Sequence, residues 1–160
     1  MIFHMRNSYI ILILFFLVNC TTSNAVVKKP VPQFESMTFD AVTKSLLFEG
    51  EFPKHFKDLS NQWFDNKVKI NGLEGNMLFV LKNYSEQSSK INDGRKIDIS
   101  VEFKVLLEKS SLSQKKVIKG KVNSFSTLTG DFSLSEFDEL IIKTQTDLVL
   151  RLSRDLKSKI

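Results

Sequence analysis

Very few side chains in this 160-residue chain are of types that could begin chemistry. Cys20 is the only cysteine, and His55 is the one histidine beyond the first twenty residues. A lone thiol closes no intrachain disulfide, and one histidine without cysteine partners or a carboxylate cluster does not make a zinc site. Serines are plentiful, yet no G-x-S-x-G or S-x-x-K stands on a strand-to-helix turn, so no hydroxyl has a partner to activate it. Gly72 and Gly75 bracket Leu73-Glu74 and cannot wrap a phosphate. Glu49 with Glu51, and Glu136 with Asp138, are carboxylate pairs of the type used in acid–base catalysis, but a solvated loop and a helix cap account for them more simply. The expectation is a protein without metal, cofactor or enzymatic activity. Two features remain. One is Cys20 itself. The other is a set of lysines, Lys96, Lys104, Lys119 and Lys121, whose alternate spacing on two strands would bring their ammonium groups to one face about 5 Å apart, as an anionic ligand or a protein partner would require. The competing reading of that face is a solvated sheet surface, because Asp98 and Glu102 lie among the lysines.

Cys20 stands where the apolar run from Tyr9 to Val18 stops, behind a polar start containing Arg6. A charged n-region and an apolar h-region too short for a comfortable span have the layout of a secretory signal. Leu17-Val18-Asn19-Cys20 resembles the lipobox of bacterial lipoproteins, with Asn19 where a small Gly, Ala or Ser is usual. The resemblance implies cleavage before Cys20, acylation of its sulfur by chains such as palmitate, and a domain held at a membrane outside the cytoplasm. Thr21 in place of Asp resembles the signal for delivery to the outer rather than the inner membrane. Two other readings of the run stay open: an uncleaved N-terminal anchor, and a conventional cleavage site with Cys20 as an ordinary small residue nearby.

On this reading residues 1–19 are a signal peptide, 20–33 a lipidated N-terminus and flexible tether, and 34–160 one domain. Thr21 to Gln33 carries Thr, Ser, Asn, Pro30 and Pro32 with little to bury, which suits a tether. The 141 residues from Cys20 onward suffice for one core and are too few for two. Removing Arg6 from the 23 Lys and Arg leaves 22 against 18 Asp and Glu, a modest excess that does not argue for nucleic acid.

Elements follow from period. Phe34 to Phe52 fits one or two short strands. Pro53 opens a helix whose Phe52, Phe56, Leu59 and Trp63 share a stripe that Phe64, Val68 and Ile70 extend, with Asn71-Gly72 as its stop and Trp63 in the core. Met77 to Leu81 is an apolar run typical of a central strand, and the polar stretch Ser85 to Gly94 reads as a loop. Arg95 to Glu108 alternates with Ile97, Ile99, Val101, Phe103, Val105 and Leu107 inward, and Lys115 to Leu128 alternates again after a turn, which makes a hairpin. Small residues at Gly120, Ser124 and Ser126 on its inner side would admit a helix closely. Ser133 and Glu136 form a capping box for a last helix with Leu134, Phe137, Ile141, Leu148, Leu152 and Leu156 on one stripe, Ile142 and Val149 at its border. The fold class is α+β: a small antiparallel sheet of three to four strands, two helices packed on one face, in the order β-α-β-β-β-α.

This organisation, with the helix ending before two glycines at Trp63 to Gly75, the strand Ile97 to Leu107 and the helix opening Ser133-Leu134-Ser135-Glu136, resembles small alphaproteobacterial envelope lipoproteins of unassigned role. In architecture it is similar to the lipoprotein of the lipopolysaccharide-assembly machinery and to auxiliary lipoproteins of lipid-transporting ABC systems. The resemblance implies a periplasmic, membrane-anchored accessory or docking subunit of an envelope complex, which binds a membrane protein, an anionic lipid or lipopolysaccharide and has no chemistry of its own. The alternative is a periplasmic carrier of a small ligand, or an enzyme, with a pocket between helices and sheet.

Overall fold

The computed structural model describes residues 33–109 and 114–160. Cys20, the expected signal peptide and the tether as far as Pro32 lie outside the described residues. The element order is β1 (Met37–Phe39), β2 (Thr43–Glu49), α1 (Lys54–Lys67), β3 (Val68–Ile70), β4 (Asn76–Ile91), β5 (Gly94–Lys109), β6 (Gln114–Thr129) and α2 (Leu134–Lys157). Four strands make the main sheet in the order β2-β4-β5-β6, while β1 and β3 form a separate parallel pair. The fold is α+β with the expected order of elements around the main sheet. Its antiparallel character holds for β4, β5 and β6, but β2 joins β4 in parallel. The reason is topological: α1 and β3 carry the chain back between β2 and β4, and such a crossover leaves both strands pointing the same way.

Both helices lie on one face of the sheet. The inward side chains Phe79, Leu81, Ile97, Ile99, Val101, Phe103 and Val105 are buried against Phe56, Trp63 and Phe64 of α1 and Leu148, Leu152 and Leu156 of α2. Aromatic rings interlock through the middle, with Phe79 edge-on to Trp63 at 5.6 Å and stacked on Phe103 at 6.0 Å. Ring pairs of this geometry add to the gain from burial. Helix α2 begins with the expected capping box. The Ser133 hydroxyl accepts from the Glu136 N–H at 3.2 Å, and the Glu136 carboxylate accepts from the Ser133 N–H at 2.7 Å.

The sequence-based expectation departs from the structure at three further places. Helix α1 stops at Lys67 rather than at Asn71-Gly72, because Val68 turns extended and β3 pairs with β1. No glycine caps α1. Instead Lys44, pointing inward from β2, donates to the carbonyls of Phe64 at 2.9 Å and Val68 at 2.5 Å, a cation at the carbonyl end of the helix. Burial holds the Lys44 pKa below its ordinary value. Ser85 to Ile91, expected as a loop, continues β4 and turns through Asn92 and Asp93 into β5. Leu134 does not join the α2 stripe and is 79% exposed, whereas Leu140, Thr144 and Gln145 are buried there.

Gly120 explains how closely α2 approaches. A methyl group at this position would overlap the Phe103 ring and stand 2.7 Å from the Asp155 carboxylate of α2. Only a residue without a side chain lets β6, β5 and the end of α2 meet there.

Candidate functional site on the uncovered sheet face

The face of the main sheet away from the helices has no covering element among the described residues. Register sorts its side chains into rows running across the strands. The first row is Ser45, Leu78, Leu106 and Val117; the second is Leu47, Val80, Lys104 and Lys119; the third is Glu49, Lys82, Glu102 and Lys121. Five aliphatic side chains therefore form a contiguous strip over one end of the face. Val80 is only 4% exposed despite pointing outward, and Leu47 and Val117 at the two flanks are exposed.

The lysines begin where the aliphatic strip stops. Lys104 and Lys119 are direct cross-strand neighbours, with Lys82 and Lys121 in the next row. Among the described residues none of these four forms an ion pair, while Lys96, Lys109, Lys115, Lys157 and Lys159 do. Glu102, which sits between Lys82 and Lys121 in register, accepts a hydrogen bond from the Asn83 amide at 3.0 Å. A cavity of about 350 Å³ lies among Lys82, Glu102, Lys104, Lys119 and Lys121.

Beyond the lysines the face changes character at a bulge. Register slips between Lys82 and Ser85, and Asn83 takes a left-handed φ of 53°. Asparagine adopts that conformation more readily than other side chains, and a bulge sharpens the local twist and bends the strand. The next rows are Ser85, Ser100 and Asn123, then Gln87, Asp98 and Phe125, then Ser89, Lys96 and Thr127. A trough of about 580 Å³ lies over the first two of these rows, lined by Ser85, Ser100, Asn123, Gln87 and Asp98 and bounded by Asn83 and Lys121.

On the other side of the bulge, Tyr84 and Glu86 enter a polar network. The Tyr84 hydroxyl donates to Glu86 at 2.6 Å and accepts from the Gln145 amide at 3.1 Å. The Gln145 carbonyl oxygen, 2.9 Å from His55 Nδ1, can only accept, so this network places the proton on Nδ1. Burial, with the Glu86 contacts next, pushes the Tyr84 phenol well above its ordinary pKa.

Of the expected site residues, Lys104, Lys119 and Lys121 come together. Lys96 shares their face but stands eight residues along β5 from Lys104, roughly 27 Å at strand rise; it pairs with Asp98 at 2.8 Å and covers the Phe125 ring at 5.1 Å. Lys82 completes the cluster and is missing from the sequence-based set; its place in the apolar run of a central strand hid it. His55 is in helix packing against Gln145. Glu49 lies beside Lys82, and Glu136 belongs to the helix cap. Among the described residues no His, Cys, Asp or Glu group gathers as a metal would require, and no helix is long and apolar enough to cross a membrane.

No protein-family model matches the chain, and no curated protein sequence does. Its fold does have solved counterparts. A minor lipoprotein from Acinetobacter baumannii superposes with a TM-score of 0.55 at 11% identity, over 73% of this chain and 91% of that one. The rare lipoprotein B from Shewanella oneidensis superposes with a TM-score of 0.50 at 16% identity, over 74% of this chain and 96% of that one. The likeness is one of fold.

Proposed function

We propose that the protein is a bacterial envelope lipoprotein, anchored through acyl chains on Cys20, whose domain is a non-catalytic accessory that binds the phosphates of an anionic lipid on its uncovered sheet face. The signal-like start ending in Leu17-Val18-Asn19-Cys20 supports the anchor, and so does the occurrence of this fold in two proteins named as lipoproteins. The observation that carries the binding role is the Lys104–Lys119 pair. Like charges directly opposite on neighbouring strands destabilise a sheet. Here they are retained without a carboxylate partner among the described residues, next to Lys82 and Lys121 and against an aliphatic strip. Ammonium groups suit phosphate oxygens, and the strip suits the acyl chains beside them. The domain would then serve a lipid-handling complex, with the outer membrane as its site.

Two measurements test this. Mass spectrometry of the mature protein is expected to find an acylated N-terminal peptide beginning at Cys20; an intact Met1 or an unmodified thiol overturns the anchor. A chain lacking residues 1–20 should float with phosphatidylglycerol vesicles and not with phosphatidylcholine. Lys104→Gln with Lys119→Gln should abolish flotation while raising stability by roughly 0.2–1 kcal/mol as the repulsion is removed. Flotation that survives the pair of substitutions refutes the lysine site, and a stable protein partner recovered in place of lipid would reassign the face to docking.

A further inference from the structure

We infer that the trough beyond the bulge is a binding site for a neutral saccharide, distinct from the lysine cluster. Its lining is the reason. Ser85, Ser100, Gln87 and Asn123 line it with no side-chain hydrogen bond to any other described residue, so two hydroxyls and two amides present unspent donors and acceptors to one space. Each of these groups both donates and accepts, as each sugar hydroxyl does. A phosphate offers acceptors alone and would leave the donor-and-acceptor pairs of these four groups half used, while the charged groups of the wall, Lys121 and Asp98, are one of each sign and Asp98 is paired with Lys96 at 2.8 Å. Lys121 stands at the boundary and lines both spaces.

The volume and shape agree. About 580 Å³ falls within the roughly 300–1,000 Å³ of small-molecule sites, and the concavity follows from the bulge. Asn83 has a second part in it. It lines the trough itself, and by donating to Glu102 at 3.0 Å it holds that carboxylate on the side of the lysine cavity. Outside the lining, Phe125 is 58% exposed and next to Asp98 in register, with the Lys96 ammonium over its ring at 5.1 Å. Sugar rings combine hydroxyl edges with apolar C–H faces; the trough answers the hydroxyls, and Phe125 in the adjoining row is the apolar surface within reach of a longer glycan. The shared chemistry of a free or polymeric glycan and of a neutral glycolipid headgroup fits this site equally.

The test uses the full mature protein in micelles of a sugar-free detergent, lauryldimethylamine oxide, with ¹⁵N-labelled side-chain amides of Gln87 and Asn123 as reporters. Maltotriose and tri-N-acetylchitotriose form one arm, and digalactosyldiacylglycerol mixed into the micelles forms the other. The expected result is a saturable shift of both amide signals in at least one arm. A response to the soluble sugars identifies a free or polymeric glycan; a response to the glycolipid alone identifies a headgroup. Gln87→Ala with Asn123→Ala, read on the backbone signals of Ser85 and Ser100, should weaken binding about tenfold, as loss of two hydrogen bonds predicts. Lys104→Gln with Lys119→Gln should leave it unchanged, which separates this site from the phosphate site. Absence of a shift in both arms, or binding that the Gln87 and Asn123 substitutions do not weaken, overturns the inference.

Discussion

Gly120→Ala adds one methyl group at the place where sheet and helix meet most tightly, and its cost follows from what surrounds it. The new carbon would overlap the Phe103 ring and lie 2.7 Å from Asp155 Oδ2. Phe103 cannot retreat, being 1% exposed and stacked on Phe79. Asp155 is better able to give, since it lies near the end of α2 and its carboxylate pairs with exposed Lys159 at 2.6 Å. Relief therefore comes from moving the last turns of α2, and overpacking of this kind costs about 1–3 kcal/mol. For a chain of this size that lowers the melting temperature by roughly 3–12 °C. Thermal unfolding followed by far-ultraviolet circular dichroism measures it, with Gly50→Ala as a comparison in which the added carbon meets nothing and only the φ of 100° is strained. A double-mutant cycle identifies the cause: Phe103→Leu should recover about 1 kcal/mol of the Gly120→Ala loss. An unchanged melting temperature, or a strictly additive cycle, would mean that α2 does not close on β6 as described.

Ser133→Ala removes the hydroxyl of the α2 capping box and is expected to cost about 1 kcal/mol in chemical denaturation. The Ser133 N–H, then its hydroxyl, hold the Glu136 carboxyl below its ordinary pKa; the stability this supplies is present above the unfolded pKa and is lost as pH falls through the folded one. Ser133→Ala keeps the backbone N–H and should flatten the acid limb of the stability profile only in part, whereas Glu136→Gln should remove this contribution; a limb unaltered by Glu136→Gln would dismiss the box as its source. Tyr84 is the only tyrosine after Cys20, so absorbance at the phenolate band reports it alone in the mature chain. Its raised pKa predicts no ionisation near pH 10 while the fold persists, and stability that is complete below that pH and declines above it. A phenolate appearing near pH 10 in folded protein would contradict the Tyr84–Gln145–Glu86 network.

Where one physical signal dominates, the sequence is a good guide to this fold. The alternation of Ile97 to Leu107 reports a strand with one buried face, and the Ser133–Glu136 pair reports a helix start. The misreadings occur where two demands coincide. Val68 and Ile70 satisfy a helical stripe and a two-residue alternation equally well over so short a stretch, and only the distant pairing with β1 decides for a strand. Ser85 to Ile91 is polar on both faces, which is a loop's composition. It is nevertheless a strand, because β5 supplies its hydrogen bonds as far as Ile91. The lysine site was half legible for a similar reason. Alternation assigns Lys96 and Lys104 to one face but says nothing of the distance between them, and Lys82 becomes visible only when register sets it beside Glu102.

The bulge at Asn83 links these observations. Before it, β4 runs between β2 and β5, and its outward residues are Leu78, Val80 and Lys82; after it, β4 has no neighbour on one side and its outward residues are Ser85, Gln87 and Ser89. An unpaired strand edge invites association with other chains, and the Ser, Gln, Glu and Lys side chains of this stretch reduce that risk. The same slip in register turns Tyr84 inward to Gln145, which closes the end of the core where α1 begins. A straight strand would have carried the apolar-in, lysine-out pattern unbroken along the face. By interrupting it, one left-handed residue divides a continuous sheet surface into an aliphatic and cationic half and a half of hydroxyl and amide side chains that also holds the Lys96–Asp98 pair. Two ligand chemistries can thus be served side by side on strands that the fold already required for its core.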